Sequence, residues 1–446
     1  MQTFFKKIKM TFTREANSAH AASMSVTRSQ RVHMFILAFM PLVLYPFMFC
    51  IPFAKGVAGP LYAAYYICFL VHLVLRKDKG YQHEVRIYYI LLLVFALAMA
   101  ISLIYSSNIE NGLKRLKEQL GLIFIPILIE SVSSRDHARR SLYAYVGGGT
   151  ILALIGIYQG MVLHIDRPPT LLYTVHEGHL LLFAAVVSVA LILSEKRIPA
   201  RIILIVLFLL QSFTLYLNGT RSAWAALGAV LIMVPFLTGE LKLFHKLSYF
   251  VVLLVAVAVL MHSPFGQEKI SETMNDVKML KKSQSVTADG YITSLGGRYE
   301  MWKASLLMFS KDPVLGVGLG SWEGEVARMV DRKEAPSFLR NFNQTHNIFL
   351  DALSTRGIIG LLTYASVLFF PIIYAWNKRG KSQELFRNTV LFAGIAFMVA
   401  GSADTLIYIR WSLMSYIVLT GVGLALLVRD TPSDEHVEEI SDKTHV

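Results

Sequence analysis

Apolar runs of about the length needed to cross a bilayer recur along this chain, separated mostly by short polar connections. Their spacing predicts spans over 34–53, 57–75, 87–105, 119–131, 141–163 and 178–194. Six more follow over 200–216, 221–238, 246–261, 347–376, 389–405 and 411–428. A helix rises about 1.5 Å per residue, so some 20 apolar residues span a hydrocarbon core roughly 30 Å thick. The fourth run is short, and its basic lead-in Lys114-Arg115-Leu116-Lys117 belongs outside the hydrocarbon. The pattern predicts an all-α polytopic membrane protein with about 12 transmembrane helices. Only 262–345 is long enough to form a substantial connection between spans; in it, SETMNDVKMLKK and RYEMWKASLLMF have helical spacing. Short helices lying on the membrane surface are expected there.

Composition agrees: 54% of the 446 residues are hydrophobic, 16% are charged, and the mean hydropathy is +0.51. A soluble domain carries nearer a quarter charged residues, so lipid is the solvent that explains the excess. The net charge of +13 is informative through its placement. With both termini and alternate short loops assigned to one side, that side holds 24 of the 43 Lys and Arg, and the opposite short loops hold 7. Positive residues accumulate on the cytoplasmic side, which predicts cytoplasmic termini. The expected organisation is a cytoplasmic tail over 1–33, nine spans over 34–261, a large periplasmic loop over 262–345, three spans over 346–428, and a cytoplasmic tail over 429–446. In a bacterium this is a multi-pass protein of the inner membrane. Such a distribution serves membrane lipids and not a nucleic-acid partner. The stretch TFFKKIKMTF near the start fits a short interfacial helix or a disordered tail, with no removable signal peptide apparent. Cys50 and Cys68 lie within apolar runs and read as packing residues.

Three basic residues fall on the outer side in this topology. Arg221 follows Leu-Asn-Gly-Thr and opens the eighth span, Arg298 heads GGRYEMW in the long loop, and His346 closes that loop in NQTHNIFLD. A helix start adds free N–H groups and the positive end of a dipole to Arg221, which makes an anion site. Arginine grips phosphate oxygens two at a time and stays charged, so a pair can clamp a diphosphate. A neutral histidine accepts a proton from a hydroxyl, as a general base must. Each of these side chains taken alone is better explained by snorkelling or helix capping. Together they fit group transfer from a lipid diphosphate to an alcohol.

The stretch GRYEMWKASLLMFSKDPVLGVGLGSW followed by THNIFLDALSTRGIIGLLTY, with LNGTRSAWAAL at 217–227, resembles the O-antigen ligase family and its wider superfamily of surface-polysaccharide ligases and polymerases. The resemblance implies a GT-C-like glycosyltransferase. It implies a glycan donor on undecaprenyl diphosphate and a lipid A core acceptor, with Arg221 and Arg298 holding the diphosphate and His346 as catalytic base. Direct displacement would invert the anomeric centre. It also implies no metal and no other cofactor. The sequence agrees, because no Asp-x-Asp pair occurs and the first outer loop, near 54–57, lacks a carboxylate.

Secondary candidates are Arg115 and Lys117, for a donor phosphate or an anionic lipid if they are not simple anchors, and Arg410 in the last outer loop. Asp404, expected at the outer end of the eleventh span, is a candidate to orient a histidine or bind an acceptor hydroxyl. Asp351 is expected to pair with Arg356, since its spacing from His346 turns it to another side of the helix. His176-Glu177-Gly178-His179 lacks metal-ligand spacing and reads as a polar outer loop. Gly316, Gly318 and Gly320 read as a shaped turn, without the lysine or strand of a phosphate loop. Trp224, Tyr408 and Trp411 read as interfacial belt residues. An O-antigen polymerase or protein O-glycan ligase is the alternative within the superfamily. A lipid-linked substrate transporter is disfavoured, because ionisable residues cluster at span ends.

Overall fold

The computed structural model describes residues 28–75, 85–167, 174–237, 242–281, 293–378 and 383–429; the expected N-terminal tail before Arg28 and the acidic tail beyond Arg429 lie outside the described residues. Among the described residues every regular element is helical. The first long helices are α1 (Arg28–Cys50), α2 (Lys55–Leu75) and α3 (Arg86–Ile104). After them come α4 (Ile109–Gln119), α5 (Phe124–Ser131), α6 (Arg135–Ile157), α7 (Thr174–Ser194), α8 (Ile198–Asn218), α9 (Arg221–Leu237) and α10 (Leu243–His262). The long connection folds as α11 (Pro264–Lys281), α12 (Ser294–Lys311) and α13 (Trp322–Asp331), and the chain closes with α14 (Ile348–Asn377), α15 (Glu384–Gly401) and α16 (Arg410–Arg429).

Among the described residues ten helices are long and apolar enough to cross a membrane, against the twelve expected. The fourth expected span is broken: α4 is amphipathic, a 3-10 turn follows at Leu120–Ile123, and α5 has 8 residues, roughly 12 Å of helix. The eighth, α9, is a 17-residue apolar helix. α1 begins at Arg28, ahead of the apolar run, because a helix propagates by its backbone ladder and not by hydrophobicity.

The centre of the bundle is α16, buried at every residue from Ser412 to Val428 and packed between α5, α7 and α15. Gly421 and Gly423 leave room there for Leu128 and Val390, the close approach that small residues allow in lipid. Cys50 and Cys68 are buried free thiols in this core. α10, by contrast, buries none of its residues and presents apolar side chains all round, as a lipid-facing helix does.

The long connection carries its own small core of Met301, Ala304, Met308, Trp322, Val326, Met329 and Leu339, with Trp322 Nε1 donating to Ser305 Oγ at 3.0 Å. It is anchored on α14. Val317 N donates to Ser354 O (3.0 Å), Gly318 N to Thr355 O (2.9 Å) and Ile358 N to Pro313 O (2.9 Å). These bonds surround a kink at Gly357, whose φ of 65° and ψ of −162° suit essentially glycine alone. Gly316, Gly318 and Gly320 all have positive φ and press on the backbone of Arg356, Ser106 and Gly112. The Gly-rich stretch is therefore a packing turn.

Candidate active site at one end of the bundle

Arg221 owes its place to local turn chemistry. α8 ends on Gly219 in the left-handed region (φ 72°), and α9 starts two residues later at Arg221. Asn218 Nδ2 donates to Thr174 O at 2.9 Å, and a side chain at Gly178 would meet Thr220 Oγ1 at 2.5 Å. The start of α7 is thus locked against the turn that carries Arg221. Its Nη1 donates to Thr273 Oγ1 of α11 at 2.9 Å, and its Nη2 lies 3.6 Å from Asp276 Oδ2.

His346 is fixed from both sides. The next residue, Asn347, caps α14 by accepting from Phe349 N and Leu350 N, and its Nδ2 donates to Ser402 O at 2.8 Å. His346 itself has φ 50°, a strained value of the kind that persists where surroundings over-determine it. Its Nδ1 lies 3.1 Å from Asp404 Oδ1. Burial works to raise the Asp404 carboxyl, but its hydrogen bond to His346 and the charges of His179, His346 and Arg298 outweigh that and hold it at about 2. An ionised carboxylate only accepts, so Nδ1 carries the hydrogen and the neutral ring keeps its lone pair on Nε2.

Arg298 joins the same group. α12 is capped by Thr293, which accepts from Gly296 N, and this sets Arg298 on the first turns of the helix. Arg298 Nε donates to Ala403 O at 2.9 Å, beside Asp404, and Nη1 donates to Ser294 O at 3.3 Å. Among the described residues its Nη2 makes no hydrogen bond. Burial presses the guanidinium below its usual value; Asp404 and Asp276 oppose this, and Arg221 adds to it. The two arginines therefore lie within each other's field, with the His346–Asp404 pair adjoining.

The secondary candidates divide. Arg115 is buried, its guanidinium 3.8 Å over the ring of Tyr408 and its Nη1 3.3 Å from Glu118. Lys117 is exposed on α4, and Arg410 is exposed with its guanidinium 5.2 Å over Trp411. Neither makes a contact with the His346–Asp404 pair among the described residues. Tyr408, expected as a belt residue, donates instead to Asp351 Oδ2 at 2.6 Å. Asp351 does pair with Arg356 (3.5 Å), whose Nη1 donates to Gln119 Oε1 at 2.6 Å. Trp224 donates to Leu215 O at 2.9 Å and stacks on Tyr216.

Two site residues were not recognised in the sequence. His179, expected in a loop, is fully buried inside α7 with Nε2 3.3 Å from Ser222 Oγ. Its signal was the predicted span over 178–194, which already holds it. Asp276 lies three residues beyond Thr273, on one face of the amphipathic α11. Among the described residues no group of three or more His, Cys, Asp or Glu comes together as a metal site. Helix starts lie beside these residues: α9 begins at Arg221, α14 directly after His346, and Asn218 ties the start of α7 to the turn before α9. Beside Arg221 a groove of about 520 Å³ runs between α9, α10 and α11, lined mainly by apolar residues including Trp224, Met261, Ile270 and Met274.

Residues 205–365, which hold Arg221, Arg298 and His346, match the O-antigen ligase family model. An uncharacterised protein of Haemophilus influenzae is 25% identical over 288 residues, 63% of this chain and 70% of that one. A protein of Escherichia coli K12 named O-antigen ligase is 24% identical over 261 residues, 56% of this chain and 57% of its own length. Over the stretch that carries the site, the chain is thus similar to the O-antigen ligase family.

Proposed function

We propose that the protein is a GT-C-like glycosyltransferase that moves an O-antigen polysaccharide from undecaprenyl diphosphate to a sugar hydroxyl of lipid A core. The reaction takes place at the periplasmic face of the bacterial inner membrane, with 262–345 as the periplasmic segment and both termini in the cytoplasm. The observation that carries this reading is the meeting of His346 and Asp404 with Arg298 and Arg221 at one end of the bundle, beside an apolar groove. The groove suits the first isoprene units of a lipid carrier, and the arginines suit its diphosphate. The name of the E. coli relative favours a ligase over a polymerase.

In this mechanism Nε2 of His346 takes the proton of the acceptor hydroxyl as the oxygen attacks the anomeric carbon. The bond from that carbon to the phosphate oxygen breaks, and its electron pair leaves with the diphosphate. Attack opposite the leaving group inverts the centre. Arg221 and Arg298 stabilise the charge that grows on the leaving diphosphate, and Asp404 holds the imidazole in its useful tautomer and steadies the imidazolium. Arginines and helix N-termini then serve the leaving group without a metal ion or other cofactor.

The test is transfer by purified protein from an undecaprenyl-diphosphate glycan, with lipid A core, a free glycan chain and a protein offered separately. Transfer to lipid A core that persists in EDTA is expected. Transfer to the glycan chain alone makes the enzyme a polymerase, and a strict magnesium requirement contradicts the metal-free step.

A further inference from the structure

Arg221 is already engaged from within the chain. A guanidinium offers two paired edges for a phosphate, Nε with Nη2 and Nη1 with Nη2, and both run through Nη2. That atom faces the Asp276 carboxylate at 3.6 Å, while Nη1 is held by Thr273 at 2.9 Å. The two contacts differ in kind. The Thr273 bond has ordinary hydrogen-bond length, whereas 3.6 Å is a loose ion pair with no hydrogen bond to break. Asp276 is also among the charges that act on Arg298, so this carboxylate sits in the field of both arginines, where a phosphate would. Its side chain is 13% exposed and Arg221 32%, so the pair is partly screened and its hold on Arg221 is weak.

We propose that Asp276 is a further residue of the donor site, an internal carboxylate that competes with the lipid-borne diphosphate for Arg221 and so sets how firmly donor and spent carrier are held. This rests on the reading of Arg221 as a diphosphate ligand. Thr273 keeps the guanidinium in place while the anion partner changes. A diphosphate, with more charge and more oxygens than one carboxylate, displaces Asp276. After transfer, Asp276 returns to Arg221 as the undecaprenyl diphosphate leaves.

The experiment measures binding of a polyprenyl diphosphate to the wild type, Asp276→Asn, Arg221→Ala and the double variant in lipid nanodiscs, with the polyprenyl alcohol as control. Asp276→Asn is expected to bind the diphosphate roughly two- to fivefold more tightly, as loss of a partly exposed competing pair allows. It is expected to slow multiple turnover through product release, and its binding gain is expected to vanish in the Arg221→Ala background. A folding defect does not produce tighter binding. Unchanged or weaker binding in Asp276→Asn overturns the proposal, as does a gain that survives without Arg221. If the wild type binds diphosphate and alcohol alike, the donor-site reading itself fails, and Asp276 has nothing to compete for.

Discussion

His346 has both its backbone and its ring constrained. The left-handed backbone is held between Thr345, whose Oγ1 donates to Asn347 O at 2.7 Å, and the Asn347 cap, while Asp404 holds Nδ1. Replacing Asp404 by Asn keeps the size but puts a neutral amide, which donates as well as accepts, where an acceptor-only carboxylate fixed the tautomer. The turnover rate is expected to fall roughly 10²- to 10⁴-fold while donor binding changes little, measured in single-turnover assays. Asp404 also predicts a pH effect with a definite sign. Its carboxyl is held at about 2 against an ordinary 3.8, so it contributes stability that is fully present above pH 4 and is lost as pH falls towards 2. Thermal unfolding of the wild type should show this loss, and Asp404→Asn should lack it. At this scale Arg221, Arg298, His346, Asp404 and the Asp351–Arg356 pair were legible, because their chemistry and position relative to span ends are local properties. Asp276 and the burial of His179 were not, because each depends on a helix brought in from elsewhere in the chain.

Among the elements, α14 does most to shape the site. Its cap residue reaches across to Ser402 and its kink at Gly357 receives the Gly316–Gly320 turn. Gly357→Ala would force a Cβ into the carbonyl of Val314 at a backbone conformation that costs a non-glycine residue about 1–3 kcal/mol before any clash. A loss of at least that size is expected in denaturation of the detergent-solubilised protein, and a neutral substitution would refute the account of the turn. Asn347→Ala should cost about 1 kcal/mol through the lost cap and lower activity further by releasing His346. Spans with 18 or more apolar residues were readable from hydropathy, since length and composition decide them. The α4–α5 break was not, because a short apolar run buried against α16 looks in sequence like the start of a span. Arg356 shows the same lesson. It lies within a long apolar helix, yet it bonds Gln119, faces Asp351 and is flanked by the rings of Phe95 and Tyr364.

For the molecule as a whole, the two ends of the bundle differ in what their cations do. At the end opposite His346, Arg139 pairs with Glu195, Arg201 bonds the Glu195 carbonyl, and Arg387 and Arg429 bond carbonyls at the ends of α9 and α5. There the positive charge caps helix C-termini. At the His346 end, arginine side chains meet helix N-termini, an arrangement with excess positive field that suits an anion. The proposed orientation puts that end in the periplasm. With Cys50 and Cys68 buried, a single cysteine at Lys117 should react with an impermeant maleimide added outside intact spheroplasts. Labelling only after permeabilisation would invert the topology and remove the reading.

His346 and the two arginines are given separate tasks in one site, and single-turnover transfer measured alongside donor binding separates them. His346→Ala should bind the lipid diphosphate as the wild type does while transfer falls by roughly 10² or more. Arg221→Ala and Arg298→Ala should each weaken donor binding roughly tenfold to a hundredfold. Full transfer by His346→Ala, or arginine variants that bind donor normally, would contradict the account.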